Sequence, residues 1–431
     1  MQLLHELDRL QKKYSYLPED EIKALAVKTG VSQAEIIGIA SFYQFFTFAR
    51  DTENHIENIY PCRKKGKLLS GDSRAWVALK KAEQFPESII PAIREAGLLG
   101  RSGGGFPVAD KWEITKNAGG GEKYVVCNAD EGELFTGKDR VLLTLDPEAV
   151  IEGMAICAAA VGARKGFIYL RGEYEDLRGK LETVIAEAPL GEFEIEVYMG
   201  HGAYVCGEET SLLSSLEGKR GETRLKPPYP GVSGFRGRPT VVNNVESFAC
   251  VPYVLTGDGC GTRLYTVCGA VKAPGVYEME DGTSIGELLD AAGGSVCDIS
   301  AIQIGGGSGS ILTSDHMGLK LTNADCAAAG IALGTSSVRF IGGDESLLSD
   351  LTALMKFFAG ESCGTCAPCR VGLVQLVKLL EKAESGNAYP EDIEKIKELA
   401  GHIRQNARCA LGKAAVTPVL SVMENFPEVF A

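Results

Sequence analysis

Three cysteines near the carboxyl end of the chain are spaced as ligands of one inorganic centre. Cys363, Cys366 and Cys369 form two successive CxxC steps, and Cys409 follows later in the chain. Two such steps wrap the backbone around one object, and Gly364 permits the unusual dihedral angles that a tight loop needs. Four thiolates are the ligand set of a 4Fe–4S cluster. Structural zinc also takes four thiolates, usually from two separated CxxC pairs, so the spacing favours the cluster over zinc.

A glycine-rich loop predicts a site for a phosphate group. Residues 97–106 carry five glycines and lead into a predicted helix that contains Lys111. Glycines let backbone N–H groups approach a phosphate closely, and the start of a helix adds positive potential. The loop lacks the GxGxxG spacing and follows no clear strand, so an ordinary Rossmann site is not indicated. A second glycine cluster, at residues 305–309, has no basic residue nearby, and we interpret it as a structural turn.

Polar side chains beside apolar runs predict further contacts to a cofactor. Asn and Asp side chains can hydrogen-bond the edge of a flavin ring, and Glu can bind ribose hydroxyls. Lys226 and Tyr229 lie in a loop stiffened by two prolines, which presents a cation and an aromatic ring. A plain acidic turn is the alternative for residues 128–133. The polar candidates are Asn128, Asp130, Glu133, Tyr204, Glu208, Glu209, Asn243 and Asn244.

Hydrophobic periodicity divides the chain into regions of different fold class. An α/β region is predicted from strands at residues 124–127, 166–170 and 193–197 and a helix at residues 148–161. A small α+β module follows, and the chain ends in a helical bundle interrupted at residues 386–390. The predicted boundaries are 1–48 for a helical extension, 49–88 for a polar linker, 89–257 for the α/β domain, 258–335 for the α+β module and 336–431 for the helical domain.

Helix-start and helix-stop residues define the N-terminal extension. Pro18 precedes three acidic residues, which are favourable near the positive end of a helix. Gly30 can end that helix in a left-handed conformation. Ser32 and Glu35 form a capping box that opens a second helix.

Composition limits the classes of protein to which the chain can belong. The chain has 431 residues, 45% of them hydrophobic and 23% charged, which is ordinary for a globular protein of several domains. A formal net charge of −13 argues against a nucleic-acid partner. No signal peptide is visible, and the apolar run at residues 150–163 contains Glu152 and is too short to span a bilayer, so we expect a cytoplasmic protein.

Thirteen cysteines in such a chain suit reduced thiols plus a metal site better than a disulfide framework. The cysteines outside the motif show no ligand spacing, and we predict that each is a small buried hydrophobic residue. They are Cys62, Cys127, Cys157, Cys206, Cys250, Cys260, Cys268, Cys297 and Cys326.

Taken in this order, the motifs resemble those of the NADH-binding flavoprotein subunit of respiratory complex I. They also resemble its relatives in NAD-linked soluble hydrogenases and formate dehydrogenases. The resemblance covers residues 90–431. It implies an FMN/NADH-binding domain, a β-grasp-like module and a helical 4Fe–4S domain within the boundaries given above. It also implies a diaphorase, in which hydride exchange between NAD(H) and FMN is followed by one-electron transfer through the cluster.

The resemblance assigns the site residues. Phe106 would stack on NADH, and Glu133 and Glu209 would lie near its ribose, where they would repel the 2′-phosphate of NADPH. Cys363, Cys366, Cys369 and Cys409 would ligate the cluster, and no side chain is expected to act as a catalytic acid or base. The implied FMN and NADH contacts are Gly100, Arg101, Gly103, Gly104, Gly105, Phe106, Lys111, Asn128, Asp130, Glu133, Tyr204, Gly207, Glu208, Glu209, Lys226, Tyr229, Asn243 and Asn244.

Three positions depart from the family pattern. Leu99 replaces an arginine, Ile114 replaces a second stacking aromatic residue, and residues 134–138 differ from the usual PGTFK. These departures motivate an alternative, in which the chain is a structural or docking subunit without flavin.

Residues 1–48 resemble instead the N-terminal helices of the partner 2Fe–2S subunit, which is thioredoxin-like in that family. The cysteines of that cluster are missing, because only Cys62 lies nearby. We therefore predict that this extension serves docking rather than redox chemistry. The expected partners are a 2Fe–2S thioredoxin-like subunit and a catalytic hydrogenase or formate dehydrogenase subunit, with ferredoxin in an electron-bifurcating complex. Membrane complex I is the alternative setting, and the sequence names neither the terminal partner nor the physiological direction.

Overall fold

Two β-sheets and a carboxyl-terminal group of helices organise the chain. The computed structural model describes residues 2–47, 60–71 and 76–430. The helices in these ranges are α1 (Gln2–Tyr14), α2 (Glu19–Thr29), α3 (Gln33–Ala40), α4 (Val77–Gln84), α5 (Pro86–Glu95), α6 (Val108–Asn117), α7 (Lys138–Leu145), α8 (Pro147–Val161), α9 (Glu175–Glu187), α10 (Glu209–Leu216), α11 (Pro230–Ser233), α12 (Val245–Thr256), α13 (Ile285–Ala291), α14 (Asn323–Ala328), α15 (Leu347–Gly360), α16 (Val374–Glu384), α17 (Pro390–Asn406), α18 (Ala410–Ala414) and α19 (Thr417–Asn425).

The strands follow the same order along the chain. They are β1 (Cys62–Lys64), β2 (Tyr124–Ala129), β3 (Lys165–Leu170), β4 (Glu194–Met199), β5 (Thr240–Asn244), β6 (Thr262–Gly269), β7 (Gly275–Glu280), β8 (Ile299–Ile304), β9 (Ser310–Leu312) and β10 (Ser337–Gly342).

The first sheet has four parallel strands in the order β4-β3-β2-β5. From β2 the chain builds outward through β3 to β4 and then returns to place β5 on the other side of β2. The strand order therefore reverses between β2 and β5. In open α/β sheets, ligands bind outside the carboxyl ends of the strands at such a switch point.

Both faces of this sheet are covered, as is typical of parallel sheets. Tyr124 and Val126 belong to the cluster of buried residues that includes the apolar faces of α1, α2 and α3. Val125, Cys127 and Ala129 point to the opposite face and pack with α8 and α12. The N-terminal extension is therefore one layer of the α/β domain.

The second sheet is mixed, in the order β1-β7-β6-β10-β8-β9. Its first strand lies in the segment that the sequence predicts to be a polar linker, and that prediction is wrong for the described residues 60–71 and 76–88. Leu68 and Leu69 are fully buried, and their N–H groups donate to Glu278 at 2.9 Å. Helices α4 and α5 add further buried residues to the core, and the N–H of Leu79 donates to Glu152 at 3.0 Å. Residues 49–59 and 72–75 of the predicted linker lie outside the described residues.

Helices α15 to α19 pack around a third apolar cluster. The predicted interruption is confirmed, because α16 ends at Glu384 and α17 begins at Pro390. We call the segment with Cys363, Cys366 and Cys369 the cysteine loop. A π-helical turn, Pro368–Leu373, connects it to α16.

Most predicted elements are present with slightly different ends. The helix predicted at residues 148–161 is α8, and the three strands predicted in the α/β region are β2, β3 and β4. Gly30 ends α2 with φ of 71°, and Ser32 caps α3 by accepting the N–H of Glu35. The described helices include none that is long and apolar enough to cross a membrane.

Two predictions about cysteines need correction. Cys250 and Cys260 form a disulfide, because α12 and the turn after it bring their Cα atoms to 5.4 Å. Cys297 is exposed rather than buried, and Cys62 is only partly buried.

Candidate functional site

A polar cavity lies at the switch point between β2 and β5. Asn128 and Asn244 are opposite each other in the register of these strands, so both side chains reach the same carboxyl edge of the sheet. We call this the switch-point cavity. It is lined by Ser102, Asn128, Asp130, Glu131, Gly132, Glu133, Thr136, Lys138, Asp139, Tyr204, Gly207, Asn244, Thr335 and Leu411.

The amide side chains of this cavity are held by hydrogen bonds. Asn128 donates from Nδ2 to the carbonyl of Gly207 at 2.8 Å, and its Oδ1 accepts the N–H of Asp130 at 3.1 Å. Asn244 caps α12 by accepting the N–H of Glu246 at 3.0 Å. Both amides therefore have fixed orientations before any ligand arrives.

A buried charge cluster forms the floor beside Asn244. Lys138 is 1% exposed, and its Nζ lies 2.7 Å from Asp139, 3.0 Å from Glu246 and 3.2 Å from Oδ1 of Asn244. Burial alone would lower the pKa of Lys138, but the carboxylates of Asp139 and Glu246 raise it above its ordinary value. The lysine is therefore charged and compensates two buried acids.

Glu131 lies at the edge of the same cluster. Burial, together with the nearby carboxylate of Asp139, raises the pKa of Glu131 to about 7. The side chain accepts the N–H groups of Asp139 and Arg140 at 2.9 and 3.1 Å and the hydroxyl of Tyr174 at 2.9 Å. Glu131 can therefore exchange a proton near neutral pH in contact with the cavity.

Glu133 is held by residues distant in sequence. It accepts the hydroxyl of Tyr204 at 2.8 Å and both the N–H and the hydroxyl of Ser308, at 3.0 and 2.8 Å. Burial raises the pKa of Glu133. A Cβ at Gly306 would lie 2.3 Å from Cγ of Glu133, so this position has room only for glycine. Residues 305–309 form the predicted turn, and that turn supports a residue of the cavity.

The glycine-rich loop meets the cavity through Ser102. The loop closes on itself, because the N–H of Gly100 donates to the carbonyl of Phe106 at 3.0 Å. Gly103 and Gly105 have φ of 124° and 56°, and Gly104 has no heavy atom within 4 Å of a Cβ placed on it.

Arg101 points away from this cavity. Its guanidinium lies 3.0 Å from Asp281 and is 6% exposed, while its backbone N–H donates to Ser247. A direct side-chain contact from Arg101 to a cofactor is therefore not supported, because the guanidinium ties the loop to the second sheet.

An apolar cavity of ≈ 370 Å³ opens beside the loop. We call this the aromatic cavity. Phe106, Ile114 and Tyr229 are its exposed walls, at 50%, 42% and 57% exposure. Its lining residues are Phe106, Lys111, Ile114, Glu209, Tyr229, Pro230, Gly231 and Thr240.

Two lysines and two glutamates form an ionic network beside the aromatic cavity. Lys111 donates to Glu209 at 3.0 Å and to the carbonyl of Val242 at 2.8 Å. Lys226 lies 2.8 Å from Glu208 and 2.7 Å from Glu209. Burial raises the pKa of Glu209, but Lys111 and Lys226 outweigh it and hold that pKa below its ordinary value. Glu209 is therefore ionised at neutral pH.

The structure separates some predicted residues. Glu133 lines the switch-point cavity and Glu209 the aromatic cavity, so the two glutamates do not share one wall. Asn243 lines neither cavity. Its Oδ1 accepts the indole N–H of buried Trp112 at 3.0 Å, which fixes α6 against β5, and the flavin contact predicted for this side chain stays a prediction.

The four predicted cluster cysteines line one cavity between the helices. We call this the cysteine cavity, and its other walls include Tyr204, Phe358, Leu411 and Gly412. No group of three or more His, Cys, Asp or Glu side chains in the described ranges is arranged to hold a single metal ion. The four cysteines instead surround a space, and a Cβ at Gly412 would lie 2.7 Å from Sγ of Cys369. A set of four thiols around one space is the donor set that a 4Fe–4S cluster requires.

Tyr204 and Leu411 belong to both the switch-point cavity and the cysteine cavity. The ring of Tyr204 packs edge-on against Phe357 at 5.4 Å between centroids, and its N–H donates to Glu361 at 2.9 Å. The two cavities are therefore separated by one layer of side chains.

Several lining residues are absent from the sequence predictions. Glu131 lies within the acidic segment at residues 128–133, and Lys138 ends the loop at residues 134–138 that departs from the family pattern. Both residues therefore stand in segments that the sequence had marked. Ser102 lies within the glycine-rich loop. Thr335 and Leu411 have no local signal, because they reach the cavity from other domains of the chain.

Family models match successive parts of the chain. They are the thioredoxin-like [2Fe-2S] ferredoxin (residues 1–83), the Nuo51 FMN-binding domain (93–253), the SLBB domain (264–296) and the NADH-ubiquinone oxidoreductase-F iron-sulfur binding region (351–431).

Known proteins resemble most of the chain. The F 2 subunit of the NADH-quinone oxidoreductase of Rhizobium meliloti is 39% identical over 381 residues, which cover 82% of this chain and 90% of the relative. The NAD-reducing hydrogenase HoxS subunit alpha of Cupriavidus necator is 40% identical over 370 residues, which cover 80% of this chain and 60% of that subunit. In the crystal structure of an NAD+-reducing [NiFe]-hydrogenase in the H2-reduced state, one chain superposes with a TM-score of 0.89 at 28% identity, covering 98% of this chain and 92% of that one.

Proposed function

The chain belongs to the family of NADH-quinone oxidoreductase F subunits, as an NADH-binding oxidoreductase subunit with FMN and a 4Fe–4S cluster, and from that premise we propose which residues serve each group. The predicted resemblance, oxidoreductase function and cofactors are confirmed by these matches. When bound, FMN exchanges hydride with NADH, and the cluster carries electrons singly.

The switch-point cavity holds FMN. Asn128 and Asn244 present amide groups in fixed orientations, which suits hydrogen bonding to the polar edge of a flavin ring. Gly207 and Gly132 give the backbone close approach there, and Asp130, Glu133 and Tyr204 complete the wall. The glycines at residues 103, 104 and 105 supply N–H groups for the phosphate, with Lys111 near the helix start, and Gly100 closes the loop on Phe106.

The aromatic cavity receives the adenine end of NADH. Phe106 and Tyr229 present half-exposed rings on which a base can stack. Ile114 occupies the place of a second stacking ring, so adenine binding is weaker than in relatives with an aromatic residue there. Ionised Glu209 repels the 2′-phosphate of NADPH, so the protein prefers NADH.

The cysteine cavity holds the cluster, with Cys363, Cys366, Cys369 and Cys409 as ligands. The observation that carries the proposal is the shared wall of Tyr204 and Leu411. A donor of electron pairs on one side of this thin wall and an acceptor of single electrons on the other side make a functional pair.

Cofactor analysis of Cys369→Ser tests these assignments. The reconstituted protein should contain both FMN and iron, and the variant should lose iron but keep FMN, because Cys369 does not line the switch-point cavity. Cys297→Ser is the matched control, since Cys297 is exposed and should leave both contents unchanged. Wild-type protein that takes up iron but no FMN would favour the alternative of a docking subunit without flavin. Full iron content in Cys369→Ser would contradict the ligand assignment.

We further propose the setting and the finer domain structure. Residues 258–335 act as a β-grasp-like module and residues 336–431 as the helical cluster domain. The chain passes electrons in the cytoplasm to a 2Fe–2S thioredoxin-like subunit and a hydrogenase or formate dehydrogenase subunit. The extra match of residues 1–83 to a thioredoxin-like ferredoxin supports a soluble hydrogenase-type assembly over membrane complex I. Identification of co-purifying subunits tests this, and a membrane quinone reductase among them would contradict it.

A further inference from the structure

The turn after α3 packs aromatic side chains against the loop before Tyr204 and the loop after α10. Tyr43 is 1% exposed, and its hydroxyl donates to the carbonyl of Lys219 at 2.7 Å. The N–H of Gln44 donates to the carbonyl of Gly202 at 3.0 Å, in the loop just before Tyr204. We call residues 42–46 the aromatic turn. It anchors the N-terminal extension to the loops at residues 201–202 and 219–221.

One contact chain leads from this turn to the cysteine loop. The ring of Phe42 lies under the guanidinium of Arg220, with Cζ 4.9 Å from the ring centroid. Nη2 of Arg220 donates to the carbonyl of Cys363 at 3.0 Å, and the same nitrogen would be 3.7 Å from a Cβ on Gly364. A ring in the extension therefore places the Arg220 guanidinium, which also lies 3.5 Å from a carboxylate oxygen of Glu222, against the first cysteine of the loop.

A second contact chain leads to the wall between the cavities. The side-chain amide of Gln44 donates to one oxygen of Glu361, and the other oxygen accepts the N–H of Tyr204 at 2.9 Å. Glu361 also lines the cysteine cavity, two positions before Cys363. The extension thus reaches the cysteine loop at two points, through partners far from it in sequence.

We propose that the N-terminal extension positions Arg220 against the cysteine loop and thereby raises the reduction potential of the cluster. Reduction adds negative charge to the cluster, so a nearby guanidinium stabilises the reduced form. Hydrogen bonds and charge around the ligands are known means of setting such potentials. Phe42 and Arg220 are positioning residues, since neither supplies a ligand. The inference rests on the proposed cluster ligands and gives the extension a role besides docking.

Redox titration of the cluster, followed by electron paramagnetic resonance on the full reconstituted chain, tests the proposal. Arg220→Gln should lower the reduction potential of the cluster. At a fixed applied potential the ratio of reduced to oxidised cluster should fall about threefold, which corresponds to a shift of about 28 mV at 59 mV per tenfold change. Phe42→Leu should lower that ratio about twofold, or about 18 mV, because the guanidinium loses its ring. Phe42→Tyr keeps an aromatic ring at this position and should have the same cluster potential as the wild type.

A double variant and a matched control separate positioning from general damage. If Phe42 acts through Arg220, then adding Phe42→Leu to Arg220→Gln should cause no further shift. Arg236→Gln is the control, because Arg236 also lies over a phenylalanine ring, at 5.0 Å from that of Phe235, whereas it is Arg220 that donates to the carbonyl of Cys363. An unchanged potential in Arg220→Gln, or additive shifts in the double variant, would overturn the inference while leaving the cluster assignment intact. A wild-type chain that assembles no cluster would overturn both.

Discussion

The switch-point cavity and the aromatic cavity differ in what the protein does before any ligand is present. In the first, Asn128, Glu133 and Lys138 already have hydrogen-bonding or ionic partners within the protein. In the second, Phe106 and Tyr229 are half-exposed and offer apolar surface to the solvent. The first is pre-organised and the second is open.

This difference matches the residence times of the two groups that we assign to them. A cofactor that stays bound is best held by polar groups whose orientation is fixed in advance, because little ordering cost remains at binding. A nucleotide that must leave after each turnover is better held by stacking on a few exposed rings. Substitutions in the first cavity should therefore change stability and cofactor content, and those in the second should change the KM for NADH.

Removal of the buried lysine should have the largest effect. Lys138→Met leaves Asp139 and Glu246 as buried carboxylates without a cation, and we expect a loss of about 3–5 kcal/mol in the free energy of unfolding. Denaturant unfolding measures it. Lys165→Met is the control, since Lys165 pairs with Glu196 at 3.3 Å on the surface and should cost about 0–1 kcal/mol. Equal losses in both variants would mean that the charge cluster is not pre-organised.

The pH dependence of stability should report Glu131. Burial raises its pKa to about 7 from an ordinary value of 4.5, so the folded chain retains a proton that the unfolded chain releases. Stability should therefore fall as pH rises from about 4.5 to about 7, by at most about 1.4 kcal/mol per pH unit for one proton. Glu131→Gln does not titrate and should make that fall shallower. An identical slope in the variant would show that other groups, such as Asp139, cause it.

Truncation of an exposed ring in the aromatic cavity should weaken NADH binding without changing FMN content. Phe106→Ala should raise the KM for NADH about tenfold, because an aromatic contact contributes roughly 0.5–1.5 kcal/mol beyond the buried area. Steady-state kinetics measures this change, and FMN content should equal that of the wild type. A loss of FMN with an unchanged KM would contradict the division between the two cavities.

Addition of a ring to the aromatic cavity should have the smallest effect, and it should lower the KM for NADH rather than raise it. Ile114 is 42% exposed in the aromatic cavity, so a phenylalanine there can flank adenine from a second side. Ile114→Phe should lower the KM for NADH about threefold, within the range of one aromatic pair. Ile114→Val, which adds no ring, is the control, and an equal decrease in both variants would exclude stacking as the cause.

The sequence predicted those parts of the site that depend on local pattern. CxxC spacing places three cysteines on one loop, and strands that end in Asn128 and Asn244 meet at one edge once they are parallel neighbours. Helix ends at Gly30 and Pro390 follow from backbone preferences of single residues.

Contacts between distant segments were not predictable in this way. Ser308 reaches Glu133 across 175 positions, and Arg101 reaches Asp281 across 180, so no local signal shows either contact. The segment at residues 60–71 reads as polar because its two buried leucines follow a run of basic residues, and only Glu278 on β7 makes its burial evident. The disulfide between Cys250 and Cys260 likewise needs the helix end that brings them together.

The central claim is that paired electrons enter at the switch-point cavity and leave singly through the cysteine cavity. An anaerobic titration of the reconstituted chain with NADH tests this claim most directly. Visible absorption follows the flavin, and electron paramagnetic resonance follows the cluster in the same samples. We predict that NADH bleaches the flavin band and that a signal of the reduced cluster appears with it. Flavin bleaching without any reduced cluster, in a chain that contains full iron, would contradict the account.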